Sequence, residues 1–565
     1  MPASDRRRSR FRAPFVLKFL LTAAVVAAVF VFAAAPPRPL PAPPSAPPDG
    51  LTIAGAYHIH TTRSDGALDR DGVALAASRA GLRFAIFTDH GDGTRAPAPP
   101  EYVHGVLCID GVEVSTDDGH FVALGLGAAP YPLGGDGEAV AEDVARLGGF
   151  GIAAHPFSAR SELEWRDWRV PMDAVEWISA DSEWRDESRA RLGWALVGYL
   201  TRPPGALASL MDRPVATLAR WDELAEARRI VALPAHDAHG GLGRDDGRRP
   251  GRRLHLPSYE AAFRTFSMRA ILSAPLSGDA ARDAAMVLAA IRQGSVFTVI
   301  DAIATPGSLD FRADSGGTMV RMGGTLPGND TPAIFRVHAG VPSSVTTVLL
   351  RNGGVVAQRD GGELELTASE AGSYRVEIRT AGAPGSPPVP WISSNPIFRF
   401  RTAPSGDAVA VPNDTATIPV MDCPWRAENS PGSTGVVSAG KPAIDFAYRL
   451  REPPPASQFV ALVCDLRGAS AFSAIAFTAR ASRPSRISVQ LRFARDVGFR
   501  WRRSFYADGT GRDVRVPVDR MRPADGPGTM PVASRATSLL FVIDLTNAVP
   551  GAEGSFTLEN IRLVR

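Results

Sequence analysis

From Leu51 to about Phe311, short apolar runs of strand length alternate with stretches whose apolar residues recur at helical spacing. "IAGAYHI", "FAIFT", "GVLCIDGVEVST", "HFVALGL", "FGIAAH", "AVEWIS" and "RIVALPAHD" read as strands. "LDRDGVALAASRAGL", capped by Gly81, "EAVAEDVARLGG", "DSEWRDESRARLGWALVGYL" and "ATLARWDELAEAR" read as helices. "SYEAAFRTFS", "RAILSA", "DAAMVLAAIRQG" and "SVFTVID" continue the series. Repeated β-then-α over such a length predicts a parallel sheet or an α/β barrel. After about Asp314 the helical pattern stops. "TPAIFRVHAG", "SVTTVLLRNGG", "ELELTASEAGSYRVEIRTAG" and "NPIFRFRT" alternate as strands with glycine turns, the pattern of a small antiparallel sandwich. "APSGDAVAVPNDTAT" reads as a linker, and a second β region runs from there to Arg565.

The N-terminus has a different pattern. "RRRSRFR", Arg6–Arg12, precedes an apolar run from Phe15 to Ala35 that ends Ala33-Ala34-Ala35. Charge first and apolar second is the order of an export signal or a membrane anchor. Both put the remainder outside the cytoplasm. "PPRPLPAPPSAPPDG", Pro36–Gly50, predicts a stiff spacer that holds a folded body away from the membrane. The expected organisation is 1–35 signal or anchor, 36–50 linker, 51–312 barrel, 313–402 small sandwich, 403–417 linker and 418–565 jelly-roll-like sandwich.

The chain of 565 residues is 45% hydrophobic and 21% charged, as a folded multidomain protein should be. A net charge of +3, part of it in the N-terminal arginines, gives no basis for nucleic-acid binding. Of three cysteines, Cys108 sits in an apolar strand and reads as a core residue. Cys423 and Cys464 share the last β region and can pair in an oxidising compartment.

Candidate chemistry concentrates at strand ends. "GAYHIHTTRSDG" places His58 and His60 two positions apart on a strand, where alternate residues share a face, and Asp65 just beyond. "FAIFT" ends in Asp89-His90, "GVEVSTDDGHF" sets Glu113 and His120 either side of a turn, "FGIAA" ends in His155, and "RIVALPA" ends in His236-Asp237-Ala238-His239. These positions hold most of the chain's ten histidines. In an α/β barrel the C-terminal strand ends form one active face, and mixed imidazole and carboxylate ligands suit divalent first-row metals. His236 points away from Asp237 if the strand continues, so it reads as a packed neighbour. Asp89 either orients a ligating imidazole or caps the strand end.

The motifs "HIHTTRSDG", "TDHG", "GVEVS", "AAHP" and "DAHG", in this order over Leu51–Phe311, resemble those of the PHP (polymerase and histidinol phosphatase) metallohydrolases. Within that family the chain is similar to the CehA/McbA type, with its β segment after the barrel and wording like "PWISSNPIF", Pro390–Phe398. The resemblance implies a distorted (βα)7 barrel followed by two all-β sandwich domains, and two or three divalent ions (Zn, Mn or Fe). It implies that His58, His60, Glu113 and Asp237 hold one ion. Glu113 as a bridge, His120 and His155 hold a second, and Asp65, His90 and His239 a third. Relatives carry histidine at the Asp65 position in some cases, and the hairpin bearing His120 varies. Such ions lower the pKa of a shared water, so that hydroxide attacks phosphorus or a carbonyl carbon without a protein nucleophile. The implied activity is hydrolysis of an anionic phosphoester. A carbamate, ester or amide is the alternative substrate, and a non-catalytic metal-stabilised surface module the alternative of another kind.

Weaker features complete the reading. The basic loop Gly243–His255 and Arg160 can draw in an anionic substrate or lie at the surface solvated. The last region is similar to galactose-binding-like jelly rolls, which can hold carbohydrate on aromatics such as Trp501 or Tyr506 or serve as plain structural sandwiches.

Overall fold

The computed structural model describes residues 12–43, 51–241, 256–328, 331–400, 417–440, 442–453, 457–466, 470–494, 500–524, 528–529 and 532–565. The basic loop Gly243–His255 and nearly all of the 403–417 linker lie outside these residues. The first half of the chain is a mixed α/β region built on β1 (Thr52–Ile59), α1 (Arg70–Arg79), β2 (Phe84–Phe87), β3 (Val106–Thr116), β4 (Gly119–Leu124), α2 (Gly137–Arg146), β5 (Phe150–Ala153), β6 (Ala174–Ser179), α3 (Val215–Ala227), β7 (Val231–Ala235), β8 (Ser267–Ile271), α4 (Ala280–Arg292) and β9 (Val296–Val299). Strands β2, β5, β6 and β7 are buried along their whole length, as strands covered on both faces must be. Asp69 caps α1 by accepting from Gly72 N at 2.9 Å, and Gly81 ends it in the left-handed region at φ +81°.

The strands do not follow a uniform βα repeat. β1, β2 and β3 pair in parallel, but β3–β4 and β4–β5 are antiparallel; β5, β6 and β7 are again parallel. The expected repeat fails at β3–β4 because only Asp117 and Asp118 separate those strands, far short of a crossover helix. Gly119 permits this turn: its φ is +114°, and a Cβ there would lie 2.8 Å from the Glu164 carbonyl oxygen. The chain just beyond β7 reaches β1 through His236 N to Tyr57 O (3.0 Å) and His60 N to Ala238 O (3.0 Å). On the far edge of β1, β8 and then β9 add antiparallel. β1, β2, β3, β5, β6 and β7 therefore all point the same way. The helix expected over "DSEWRDESRARLGWALVGYL" is two, Ala180–Arg185 and Arg189–Tyr199, because Ser188 caps the second by accepting from Arg191 N at 3.2 Å.

The middle β region shares a sheet with the α/β region. β9 pairs with Ile392–Ser394, which pairs with Gly372–Thr380. A four-stranded sheet containing Asp310–Ser315, across the expected 312/313 boundary, packs over this extension around Phe335, Tyr374 and Trp391. Asn395, in "PWISSNPIF", accepts from Ala232 N (2.7 Å) and donates to Ala232 O and Val296 O (2.9 Å each). One buried carboxamide thus joins β7 to β9, which share no ladder of their own.

The C-terminal region forms two six-stranded antiparallel sheets around Phe446, Phe477, Phe541 and Phe556, with Cys423 and Cys464 joined as a disulfide. It docks on the α/β region through arginines. Arg486 and Asp143 are each 1% exposed and 2.9 Å apart, and Arg503 and Arg520 both reach Glu138, at 2.6 and 2.8 Å. The suggested sugar-stacking aromatics are used differently. Trp501 belongs to the sandwich core, and Tyr506 lies under the Arg146 guanidinium at 3.6 Å.

The N-terminal apolar segment is a helix, Arg12–Ala33, whose Phe30 ring stacks on Trp194 at 5.1 Å. Among the described residues no helix is long and apolar enough to cross a membrane. The expected spacer does not stand away from the body in its described part. Leu40–Pro41 pairs in parallel with Ala304–Thr305, because Leu40 N and Ala42 N find carbonyl partners at Ile303 (2.8 Å) and Thr305 (3.0 Å).

Candidate metal centre

The common direction of β1, β2, β3, β5 and β7, with the β3–β4 hairpin, brings residues from six strands to one place. His58 and His60 come from β1, His90 follows β2, Glu113 lies in β3 and His120 in β4, His155 follows β5, and Asp237 and His239 follow β7. Asp65 returns from the loop after β1. All nine sequence-derived candidates fall in groups whose ligand atoms lie within 4.8 Å of one another: His60/Asp65/His90/His239, His58/His60/Glu113, His58/His155/Asp237 and His90/Glu113/His120.

Glu113 is the hub, 1% exposed. Its Oε2 faces His58 Nε2 (3.2 Å), His60 Nε2 (3.2 Å) and His90 Nδ1 (3.3 Å). Its Oε1 faces His120 Nδ1 (2.8 Å) and His155 Nε2 (3.1 Å). Asp237 Oδ1 lies 3.5 Å from His58 Nε2 and 3.3 Å from His60 Nε2. Asp65 Oδ2 stands 3.3 Å from His239 Nε2 and 3.7 Å from His90 Nε2. Donors on one tetrahedral ion, at about 2.0–2.1 Å from it, lie about 3.3–3.4 Å apart. The spacing of His58, His60, Glu113 and Asp237 matches this shell better than direct hydrogen bonds near 2.9 Å. The ring atoms His58 Nε2, His60 Nε2 and His90 Nδ1 are buried without a hydrogen-bond partner, a costly arrangement that a bound cation relieves. These groups could hold divalent metal ions.

Burial alone would depress the His58 imidazole, but Glu176, Glu113 and Asp237 outweigh it and raise its pKa well above the ordinary value. His60 and His155 are pushed up to about 9 in the same way, against burial, chiefly by Asp237 and Glu113 for the first and by Glu113 for the second. Glu113 is the mirror image. Burial pushes it up, yet His58, His120 and His155 hold it well below the usual carboxylate range.

The backbone is strained at the same place. His58 (φ +62°), His155 (+28°) and Asp237 (+44°) all occupy the left-handed region, at a cost of roughly 1–3 kcal/mol each. The β1–β2 register shifts between Ala56 and Ile59. Plain alternation along a regular strand is therefore not what aims His58; a bulged, left-handed residue is.

Sequence reasoning missed Glu176. It is buried in β6, its Oε1 accepts from His58 Nδ1 (2.6 Å), and its Oε2 accepts from His155 N (2.6 Å). A carboxylate only accepts, so the neutral His58 ring carries its proton on Nδ1 and offers the Nε2 lone pair to an ion. The available signal was one carboxylate inside the short, mainly apolar run "AVEWIS". Asp89 touches no imidazole. It accepts from Thr61 N (2.7 Å) and Ser64 Oγ (2.7 Å), and Ser64 Oγ stands 3.3 Å from His60 Nδ1. His236 is a packed neighbour, stacked on Phe266 at 4.1 Å, and burial lowers its pKa to about 4.

A cavity of ≈ 1130 Å³ opens over these side chains, walled by Arg160, Leu163, Trp184, Leu207, Met211 and Phe266. Arg160 is exposed and makes no ion pair among the described residues. Arg185, also at the wall, is bound to Asp181 at 2.5 Å. Glu183 completes that side, its carboxyl pushed up to about 8 by burial and neighbouring carboxylates.

No family model and no curated protein matches the chain. Among solved structures it is similar to a two-domain protein from Bacteroides vulgatus containing a predicted PHP-like metal-dependent phosphoesterase, at 12% identity and a TM-score of 0.28, over 64% of this chain and 99% of that one. It is also similar to the family 11 carbohydrate-binding module of a Clostridium thermocellum cellulosomal cellulase, at 18% identity and a TM-score of 0.20, over 25% of this chain and 86% of that one. TM-scores this low do not establish a shared fold.

Proposed function

We propose that the protein is a metal-dependent hydrolase of PHP type, acting on a phosphoester. The observation that carries the reading is the Glu113 carboxylate, which faces five imidazoles while Asp237 faces two of the same rings. Bound divalent ions would supply Lewis acidity and an acidified water at this point. The chain's own residues do the rest. Glu176 fixes the tautomer of His58, and Ser64, tied to Asp89, stands behind His60. Arg160, without an ion pair among the described residues and lining the cavity wall, suits phosphate oxygens better than a neutral carbonyl substrate. Leu163, Leu207, Met211 and Phe266 give an apolar leaving group a dry wall.

We place the protein outside the cytoplasm, exported by its N-terminal segment. A disulfide between Cys423 and Cys464 supports that placement, since such bonds persist in oxidising compartments.

The test is a panel of p-nitrophenyl phosphate, its diester, p-nitrophenyl acetate and an aryl carbamate, with Mn²⁺, Zn²⁺ or Fe²⁺ and His58→Ala as control. Phosphoester turnover that the control lacks is the expected result. Fastest turnover of the carbamate would move the assignment to the CehA/McbA type. Ion binding with no turnover of any substrate would favour a non-catalytic module.

A further inference from the structure

One side chain of the C-terminal sandwich bridges the two segments that carry His120 and His155. Arg522 lies on the strand Arg522–Pro523, paired with Arg500–Ala507. One of its terminal nitrogens donates to Asp118 and the other to Asp167. These carboxylates belong to the two segments that present His120 and His155.

Asp118 is the tip of the β3–β4 turn, two positions before His120, and is fully buried. Its other carboxylate oxygen accepts from Gly137 N at 3.0 Å, at the start of α2. Its carbonyl accepts from Arg166 N at 2.8 Å. Asp167 closes the loop that follows His155. Trp165 in that loop donates from its ring nitrogen to Asp167 O (2.9 Å) and from its backbone N to Pro156 O (3.2 Å). The same loop carries Arg160. Arg502, beside Arg522 on the sheet, adds a 2.8 Å bond to Asp117.

His120 and His155 are the two imidazoles that meet Glu113 Oε1. They come from different strands; the β4–β5 register ends at Phe121 and Ala153, and one further bond, Ala154 N to His120 O (3.1 Å), follows it. Beyond that bond the two segments are held by Arg166 N to Asp118 O and, between side chains, by the Asp118–Arg522–Asp167 bridge. A planar guanidinium holds two carboxylates at a fixed separation, which a point charge on a flexible stem does not.

We propose that Arg522 is a positioning residue for the ion held by Glu113, His120 and His155, and that the C-terminal sandwich acts as a strut of the metal centre. The proposal rests on the metal-binding half of the function assigned above. It does not depend on which substrate is hydrolysed.

The test is Mn²⁺ titration of the chelator-stripped full-length protein, followed by calorimetry, for the parent, Arg522→Ala, Arg522→Lys and Arg520→Ala. Arg520→Ala breaks an ion pair of the same interface, to Glu138, without touching either ligand-bearing segment. In Arg522→Ala the tighter ion should bind as in the parent, and the affinity of a weaker ion should fall at least about tenfold, the usual lower scale for losing an outer-shell support. Arg522→Lys should lie between, and Arg520→Ala should match the parent. Parent-like affinity for every ion in Arg522→Ala overturns the proposal. So does an equal loss in Arg520→Ala, which would reduce the effect to domain docking. Should Arg522→Ala not fold, Arg522→Lys gives the same decision. A parent that binds two ions but hydrolyses nothing would defeat the catalytic reading and leave the strut standing.

Discussion

The ring nitrogen Nδ1 of His58 and Oε1 of Glu176 are joined by a 2.6 Å hydrogen bond, although the residues come from the first and sixth strands of the α/β region. The same carboxylate holds the backbone N–H of His155. Glu176 therefore fixes a side chain and a left-handed backbone residue together. Glu176→Gln should leave the fold intact and weaken metal binding about 10- to 100-fold. Titration of the stripped variant with Mn²⁺ checks this, and parent-like affinity would dismiss the role.

Glu113 and His120 should differ in what their loss removes. His120→Ala deletes a ligand from one group, whereas Glu113→Gln weakens every group that shares its carboxylate. Elemental analysis should show Glu113→Gln retaining fewer ions per chain than His120→Ala. Equal retention would deny Glu113 its bridging position.

The raised imidazoles give the metal-free protein a pH signature. His60 and His155 have folded values of about 9 against an ordinary 6.5. Their folded pKa lies above the unfolded one, so their contribution to stability is complete below about pH 6.5. It is lost as pH rises through about 9. Thermal melts in chelator should fall over that window, while melts of the metal-loaded protein should not, since ligated imidazoles carry no proton to lose. Ion uptake by the stripped protein should release protons at pH 7.5. A flat metal-free profile would contradict the assignment of these rings.

Asn395→Ala should be a stability variant with an intact metal set. It removes three hydrogen bonds and leaves buried backbone groups of Ala232 and Val296 unpaired. At about 1–3 kcal/mol for each of the three orphaned groups, the expected loss is about 3 kcal/mol or more. Urea unfolding measures it, and a change below about 1 kcal/mol would mean that water or a neighbour replaces the carboxamide.

The ligand types were legible because each histidine or carboxylate interrupts or ends an apolar run, and apolar runs mark strands. His58, His60, Glu113 and Asp237 lie together at those strand ends. The bulge that turns His58 was not legible, since a residue with φ +62° looks like any other in a strand-like sequence. Glu176 was hidden for the opposite reason: nothing but a single charge marks it within a buried strand. The β3–β4 hairpin was legible in the turn between Glu113 and His120, and the Asp117–Asp118 turn is too short for anything but an antiparallel pair. Arg522 and Asp118 lie in different domains, and no local pattern links them.

The sheet that runs from β9 into Ile392–Ser394 bears on how this chain can be inherited or cut. A fragment ending near residue 312 would leave β9 with a raw edge, open to pairing with another molecule, and would strip β7 of its carboxamide clasp. A portable form of the α/β region thus extends at least to about residue 400. Any recombination that trades the middle sandwich must bring its own strand and its own asparagine.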